Sequence, residues 1–548
     1  MSFRHSPIVF VLMFGAAFAE DDLQKPLKQG DVTQGTLKAS EARAVKIETP
    51  PGSYVRGRFD GRNLRVTLLD DSGKPERVLI AHGGIRQEFQ FMADGRSTCR
   101  LELRPVGESE ESYSLEVESV VPPSAQKAPR VVLESPRLRT LQETLADGGT
   151  TDAFWDEVKQ RNRGPLVERD GAEPPLEPGT SLVTFLWRGA KRNVRLFGAP
   201  SNDHDEMKRL GDSDVWYGSY RVPDSARVTY KFAPDVPELD APFMIRRRAI
   251  LATAQRDPFN PLSVPPRELP DKYAGESLVE LPGAIRQPWL DLRSEVKPGT
   301  VERRQIRSEV LGNVRDVYLY RPHGYVPGAG ENALLVAFDG DRYVDQVEAP
   351  RALDNLIAAR AIPPTAALFL ANATAESRSV ELPPNPKFVR FLADELIPWA
   401  RRQNISATAG STVVAGASYG GLAAAYAGWT RPDVFGKVFS QSGSFWWAPG
   451  AGPGGGNRQV EPEWLTRQIA ESPLRPVRFY LEAGVFEVGQ RGDAGILQTT
   501  RHLRDVLKAR GYAVDHAEPA GAHGYDYWRY SFPDGLVALL GKQAAGAK

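Results

Sequence analysis

The sequence predicts a mostly parallel, doubly wound α/β domain preceded by two β-sandwiches, and three observations lead there. Two stretches, before about residue 122 and from about 178 to 265, consist of short runs that alternate apolar and polar side chains, the period of half-buried strands. From about Arg304 onward, continuous apolar runs alternate with amphipathic helical stretches, as in a parallel sheet buried on both faces. Between one such run and an alanine-rich helix stands the turn Gly416-Ala417-Ser418-Tyr419-Gly420.

The chain begins with what reads as an export signal. Arg4 and His5 precede an apolar run from Ile8 to Phe14, and Ala17 and Ala19 lie before the acidic Glu20-Asp21-Asp22. This order of parts predicts a signal peptide over 1–19 and a periplasmic or secreted mature protein. The run is too short to span a bilayer, and no later apolar stretch reaches spanning length, so no transmembrane segment is expected after cleavage. Cys99 is the only cysteine, so no internal disulfide can form, and its strand-like surroundings predict a buried inert thiol.

Over 548 residues the chain is 41% hydrophobic and 25% charged, enough apolar material for several packed cores. Its formal net charge is zero, which supplies no electrostatic case for nucleic acid or for an anionic membrane surface.

Residues 20–122 read as the first sandwich, with strands at Val45–Ile47, Leu64–Leu68 and Tyr113–Val117 separated by turns such as Asp71-Ser72-Gly73-Lys74-Pro75. Residues 123–177 read as a linker with a helical stretch from Leu138 to Val158, where Thr151-Asp152 offers N-cap chemistry. Residues 178–265 read as the second sandwich, with Leu182–Trp187, Val194–Phe197, Asp214–Tyr217 and Val228–Phe232 as strands. Residues 266–548 hold the α/β domain. Its apolar runs are Leu334–Phe338, Ala366–Leu370 and Thr412–Ala415, and Phe388–Arg402 is one of its helices.

The chemistry falls inside this last domain. With 50 glycines in the chain, chance alone gives about 0.3 matches to Gly-x-Ser-x-Gly, so the setting carries the argument. The match follows a strand and opens the helix Gly421-Leu422-Ala423-Ala424-Ala425-Tyr426, the strand–turn–helix of a nucleophile elbow, and it predicts an α/β-hydrolase fold with Ser418 as nucleophile. A serine needs a base to take its proton. His502 lies in a predicted helix and His516 in a strand, whereas His523 lies in a loop after the last strand, where the base belongs in the order Ser, acid, His. The acid should follow the strand Phe479–Glu482; Glu487 is the first choice, with Asp493 and Glu482 as rivals. The oxyanion amides expected are that of Tyr419 and one from Gly340 or Asp341, in the turn leaving Leu334–Phe338. No metal-ligand cluster, phosphate loop or dinucleotide fingerprint stands out, so neither metal nor cofactor is expected.

Around Ser418 the sequence resembles a known family. Val413-Val414-Ala415-Gly416-Ala417-Ser418-Tyr419-Gly420-Gly421-Leu422 and Phe439-Ser440-Gln441-Ser442-Gly443-Ser444-Phe445-Trp446-Trp447 are similar to the enterochelin (enterobactin) esterases, of the esterase-D-like α/β-hydrolases. The stretches Arg378–Asn385, Tyr480–Gly484 and Gly521–Arg529 are similar too, and Val183–Arg188 with Asp257–Pro261 resembles that family's N-terminal domain. The likeness runs from roughly Phe154 to the C-terminus. Residues 20–122 resemble instead the small pre-peptidase C-terminal type of sandwich.

The resemblance implies hydrolysis of the trilactone esters of an iron-loaded tricatecholate siderophore. It implies Ser418 as nucleophile, His523 as base, and an acid three residues after Gly484, as in feruloyl esterases; some relatives work with little or no acid. It further implies that Arg378, with Arg529, faces a small anionic ester substrate and that Trp446, Trp447 and Trp528 wall its rings. The chain departs from the family in its signal segment, its extra N-terminal domain, Gly521-Ala522-His523-Gly524 where Gly-Gly-His-Asp is usual, and a glycine-rich loop from Gly450 to Gly456. A secreted carboxylesterase for feruloyl or acetyl esters is the second reading, and a non-catalytic binder of glycan or siderophore a third.

Overall fold

A computed structural model describes residues 25–126, 133–201, 204–450, 460–489 and 494–541. The predicted signal segment, the rival acid Asp493 and most of the glycine-rich loop lie outside the described residues. The chain forms two compact units, one up to Val132 and one from Leu133.

The first unit is a sandwich of two four-stranded antiparallel sheets. One holds, in spatial order, Val32–Leu37, Glu111–Val121, Ser53–Arg62 and Gly83–Ala93; the other holds Arg43–Glu48, Thr98–Pro105, Leu64–Leu69 and Pro75–Ile80. Alternate side chains point inward, so Phe59, Phe89 and Leu115 from one sheet meet Ile47, Val66 and Leu101 from the other. Cys99 is a free, fully buried member of this core, and burial pushes its thiol pKa up.

The second unit opens with two helices, Pro136–Ala146 and Asp152–Arg161. They correct the reading of 123–177 as a linker. Leu138, Leu141 and Trp155 pack on Leu186, Val215 and Tyr217 of the following sandwich, so the helices belong to that domain. The Thr151 hydroxyl makes no cap; it donates instead to Asp214. The sandwich itself runs wider than 178–265. Leu166–Glu168 extends one sheet and Glu276–Glu280 the other, the latter pairing with Arg227–Tyr230.

The remainder is an eight-stranded sheet. In spatial order it holds Thr300–Ser308, Asn313–Arg321, Thr365–Leu370, Ala333–Phe338, Thr412–Ala417, Lys437–Gln441, Arg478–Glu482 and Val514–Ala517. Thr300–Ser308 and Asn313–Arg321 pair antiparallel, Asn313–Arg321 runs antiparallel to Thr365–Leu370, and every later pairing is parallel. The continuous apolar runs now have their reason. Leu334, Val336 and Phe338 face a layer that includes Phe391, Leu422 and Leu503, while Leu335 and Ala337 face Leu353, Phe532 and Leu536 on the other side. Each fully buried Leu or Phe contributes about 1.5–3 kcal/mol, so both layers hold the parallel strands in register. The loops at the carboxyl ends of those strands are where an open α/β sheet binds ligands.

Candidate active site

Three side chains with positive φ stand at the carboxyl ends of three neighbouring parallel strands. Asp339 (φ 53°) follows Ala333–Phe338, Ser418 (φ 58°) follows Thr412–Ala417, and Ser442 (φ 48°) follows Lys437–Gln441. Such conformations cost of order 1–3 kcal/mol each and persist where surrounding contacts fix them.

At Ser418 the backbone (φ 58°, ψ −122°) turns sharply from strand into the helix Tyr419–Thr430. The glycines permit this: a Cβ on Gly416 would lie 2.5 Å from the carbonyl carbon of Gly420. The Ser418 amide donates to the Gln441 carbonyl (3.0 Å), and its own carbonyl accepts from Ser444 (3.1 Å), so both strand ends pin the turn. Its hydroxyl lies 3.4 Å from Ser444 Oγ and makes no hydrogen bond to an imidazole.

His523 lies in the loop before the helix Tyr525–Leu540, and its Nδ1 is 2.6 Å from Glu487 Oε1. The two differ in setting: the imidazole side chain is 40% exposed and the carboxylate side chain 3%. The other oxygen of Glu487 accepts from Ser442 Oγ (2.7 Å) and the Gly484 amide (2.6 Å). Gly484 also lets the two loops meet, since a Cβ there would fall 2.2 Å from the Gly521 carbonyl oxygen. Phe486, Ala520 and Ala522 of these loops pack on the core of the second sandwich, and the Arg227 amide donates to the Ala520 carbonyl (3.0 Å). Ala417, beside the serine, packs against Trp528, whose ring is 4.9 Å from that of His523. Serine, histidine and acid thus share one end of the sheet.

Glu482 remains within its strand, fully buried, accepting from Ser531 Oγ (2.5 Å) and Gln441 Nε2 (3.1 Å). Burial, reinforced by the nearby carboxylate of Glu487 and opposed by those hydrogen bonds, pushes its pKa up to about 8. His502 bonds Glu463, and His516 is held beside Arg504 and Glu518 with its pKa lowered by burial.

The amides of Tyr419, Gly340 and Asp341 occupy the first positions of two helices, Tyr419–Thr430 and Gly340–Asp345, where a helix leaves N–H groups without internal acceptors. Gly340 is required, because a Cβ would lie 2.2 Å from the Phe369 carbonyl carbon. A Cβ on Gly420 would come 3.5 Å from Asp339 Oδ2, which brings the two helix starts together.

The side chains expected from the resemblance to contact substrate have partners within the protein. Trp528 is 3% exposed and donates its indole N–H to Ser442 Oγ (2.8 Å), so it lies beneath the histidine and lines no open wall. Trp447 packs into the large core and against Trp464 (6.2 Å). Arg529 is ion-paired with Glu348. Arg378 binds Asp339 through Nε (2.7 Å) and Nη2 (2.8 Å), with its guanidinium 6.0 Å from the Tyr419 ring. Trp446, half-buried and 6.0 Å from the Tyr419 ring, stays beside the serine. Ser442, Ser444 and Asp339 are the site residues that motif reading missed; each lies one position past a strand end or two beyond that, but only long-range contacts show what they bind.

Among the described residues no group of His, Cys, Asp and Glu could hold a metal, and no helix is long and apolar enough to cross a membrane.

Comparisons with known proteins agree with this fold. The Esterase family model matches residues 308–539, and the model described as "Enterochelin esterase, N-terminal" matches 182–290. Both matches fall in the second compact unit. The chain is 30% identical to an iron(III) enterobactin esterase of Escherichia coli O6:H1, over 71% of this chain and 96% of the relative. It is 29% identical to the iron(III) enterobactin esterase of Dickeya dadantii, over 71% of this chain and 93% of the relative. A solved ferric enterobactin esterase from Salmonella typhimurium superposes with a TM-score of 0.56 at 29% identity, covering 71% of this chain and 98% of that one. The enterobactin esterase from Shigella flexneri, solved in the presence of enterobactin, gives 0.54 at 26% identity over 71% of this chain and 97% of its own. The chain belongs to the enterochelin esterase family and is a carboxylic-ester hydrolase.

Proposed function

We propose that this protein is an exported serine esterase that cleaves the trilactone esters of an iron(III)-loaded catecholate siderophore of the enterobactin kind. In this reading Ser418 Oγ attacks the ester carbonyl carbon while His523 Nε2 takes its proton. The Glu487 carboxylate orients the imidazole and stabilises its charged form. The oxyanion is received by the Tyr419 amide and by that of Gly340 or Asp341. Collapse breaks the ester C–O bond, His523 returns the proton to the leaving alkoxide, and water, activated by the same imidazole, hydrolyses the acyl-Ser418. Iron is cargo of the substrate and takes no part in the proton transfers.

The observation that carries the reading is the 2.6 Å contact between His523 and Glu487 at the sheet end that also bears the strained Ser418. The substrate class rests on relatives whose names are iron(III) enterobactin esterase and iron(III) salmochelin esterase. Export rests on the order of charged, apolar and small residues in the first 19 positions.

The test compares turnover of an iron-loaded triscatechol trilactone with that of a feruloyl ester by the purified protein. Preference for the trilactone is expected; preference for the feruloyl ester would transfer the assignment to a secreted carboxylesterase. The mature N-terminus should be Glu20 when read by mass from the exported protein, and an intact Met1 in that fraction would refute processing after Ala19.

A further inference from the structure

We infer that Ser442 is a positioning residue that fixes the proton direction of the whole relay, and that Trp528 sets it; the inference rests on Glu487 being the orienting acid. Donor and acceptor chemistry sets the direction of these hydrogen bonds. An indole N–H can only donate, and Trp528 Nε1 lies 2.8 Å from Ser442 Oγ. The Ser442 oxygen therefore accepts there, and its single proton is left to point elsewhere. Its other partner is Glu487 Oε2 at 2.7 Å. The Gly484 amide, also a pure donor, reaches the same oxygen at 2.6 Å. Oε2 thus accepts two hydrogen bonds and carries no proton of its own.

Oε1 is then the oxygen open to His523, 2.6 Å from Nδ1. With Glu487 ionised, as the orienting role requires, Nδ1 carries the proton and Nε2 is left as the basic nitrogen. Trp528, 3% exposed, thus reaches through Ser442 the acid that orients the exposed imidazole.

Ser442 is built for this and for little else. It is 1% exposed, its backbone sits at φ 48°, and its amide donates to the Glu482 carbonyl at 2.8 Å. That left-handed turn aims the hydroxyl away from its strand and toward the acid loop. The Trp528 backbone is held in turn, its carbonyl accepting from Gln441 Nε2 at 3.0 Å.

The experiment is a double-mutant cycle on hydrolysis of p-nitrophenyl acetate, with kcat and KM measured separately. Ser442→Ala should lower kcat about tenfold, and Trp528→Phe, which keeps the ring and removes only the N–H, about threefold, each with KM within about twofold. In a Glu487→Gln background both effects should vanish, because a residue acting through Glu487 has nothing left to act on. Equal losses in the two backgrounds would overturn the inference and leave Glu487 as the acid. Full activity in Glu487→Gln alone would overturn the inference together with the triad reading beneath it. Melting temperatures measured alongside keep a folding defect separate, and Trp528→Phe serves where Ser442→Ala fails to fold.

Discussion

Asp257 and Glu487 are both buried carboxylates held by hydrogen-bond donors in the second unit, and of these two only Glu487 meets an exposed partner. Asp257, in the sandwich, accepts from Tyr230 Oη (2.6 Å) and from the Phe259 amide (2.8 Å), while Asn260 Nδ2 donates to the same Tyr230 oxygen (3.1 Å). Every member of that cluster is buried or half-buried, and burial pushes the Asp257 pKa up to about 6 despite the donors. Glu487 instead takes two donors on one oxygen, and its other oxygen meets an imidazole that is 40% exposed. The lesson is chemical: a buried acid closed on all sides holds a fold, and one that hands its last acceptor to an exposed base can drive a proton transfer.

Variants at the two places sharpen that difference. The largest effect is expected at the nucleophile: Ser418→Ala should lower kcat by at least about 10³-fold on any ester, and His523→Ala by a similar factor, with no additional loss when they are combined. Steady-state rates on p-nitrophenyl acetate measure this, and multiplicative losses in the double variant would separate the two groups. Next comes Glu487→Gln, expected to lower kcat by about 10²-fold or more by freeing the imidazole's orientation. The matching change in the closed cluster, Asp257→Asn, should leave kcat within about twofold and lower unfolding free energy by about 1–3 kcal/mol, read from denaturant midpoints. A fall in kcat at constant stability in Asp257→Asn would erase the distinction.

The smallest effect is a change of pH dependence. Glu482 has a folded pKa of about 8, above its ordinary value of 4.5. Its neutral form is favoured by the fold, so its stabilising contribution is whole below about pH 4.5 and is lost as pH rises through about 8. The wild type is expected to lose melting temperature between pH 5 and 9, and Glu482→Gln to flatten that decline. A decline of unchanged slope in the variant would place the titration elsewhere.

Much of this architecture was legible from local pattern. Continuous runs such as Leu334–Phe338 announce strands buried on both faces, and the turn around Ser418 announces itself through its flanking glycines and the helix that follows. His523 stood out because a loop histidine after the final strand has few other structural uses. Other features depend on contacts across long separations. Leu166–Glu168 is too short to show a period, and the helices Pro136–Ala146 and Asp152–Arg161 join the sandwich only through side chains such as Trp155 meeting Val215 and Tyr217. Nothing near Arg378 in sequence tells that Asp339, 39 residues earlier, takes two of its N–H groups. Trp528 looked like a binding surface, since nothing nearby in sequence tells that its indole meets a serine 86 residues away.

The most direct test of the central claim is covalent trapping with a fluorophosphonate, followed by peptide mapping. A single adduct on Ser418 is expected, formed at least about 10²-fold more slowly in His523→Ala. An adduct on another residue, or wild-type ester hydrolysis by Ser418→Ala, would contradict it.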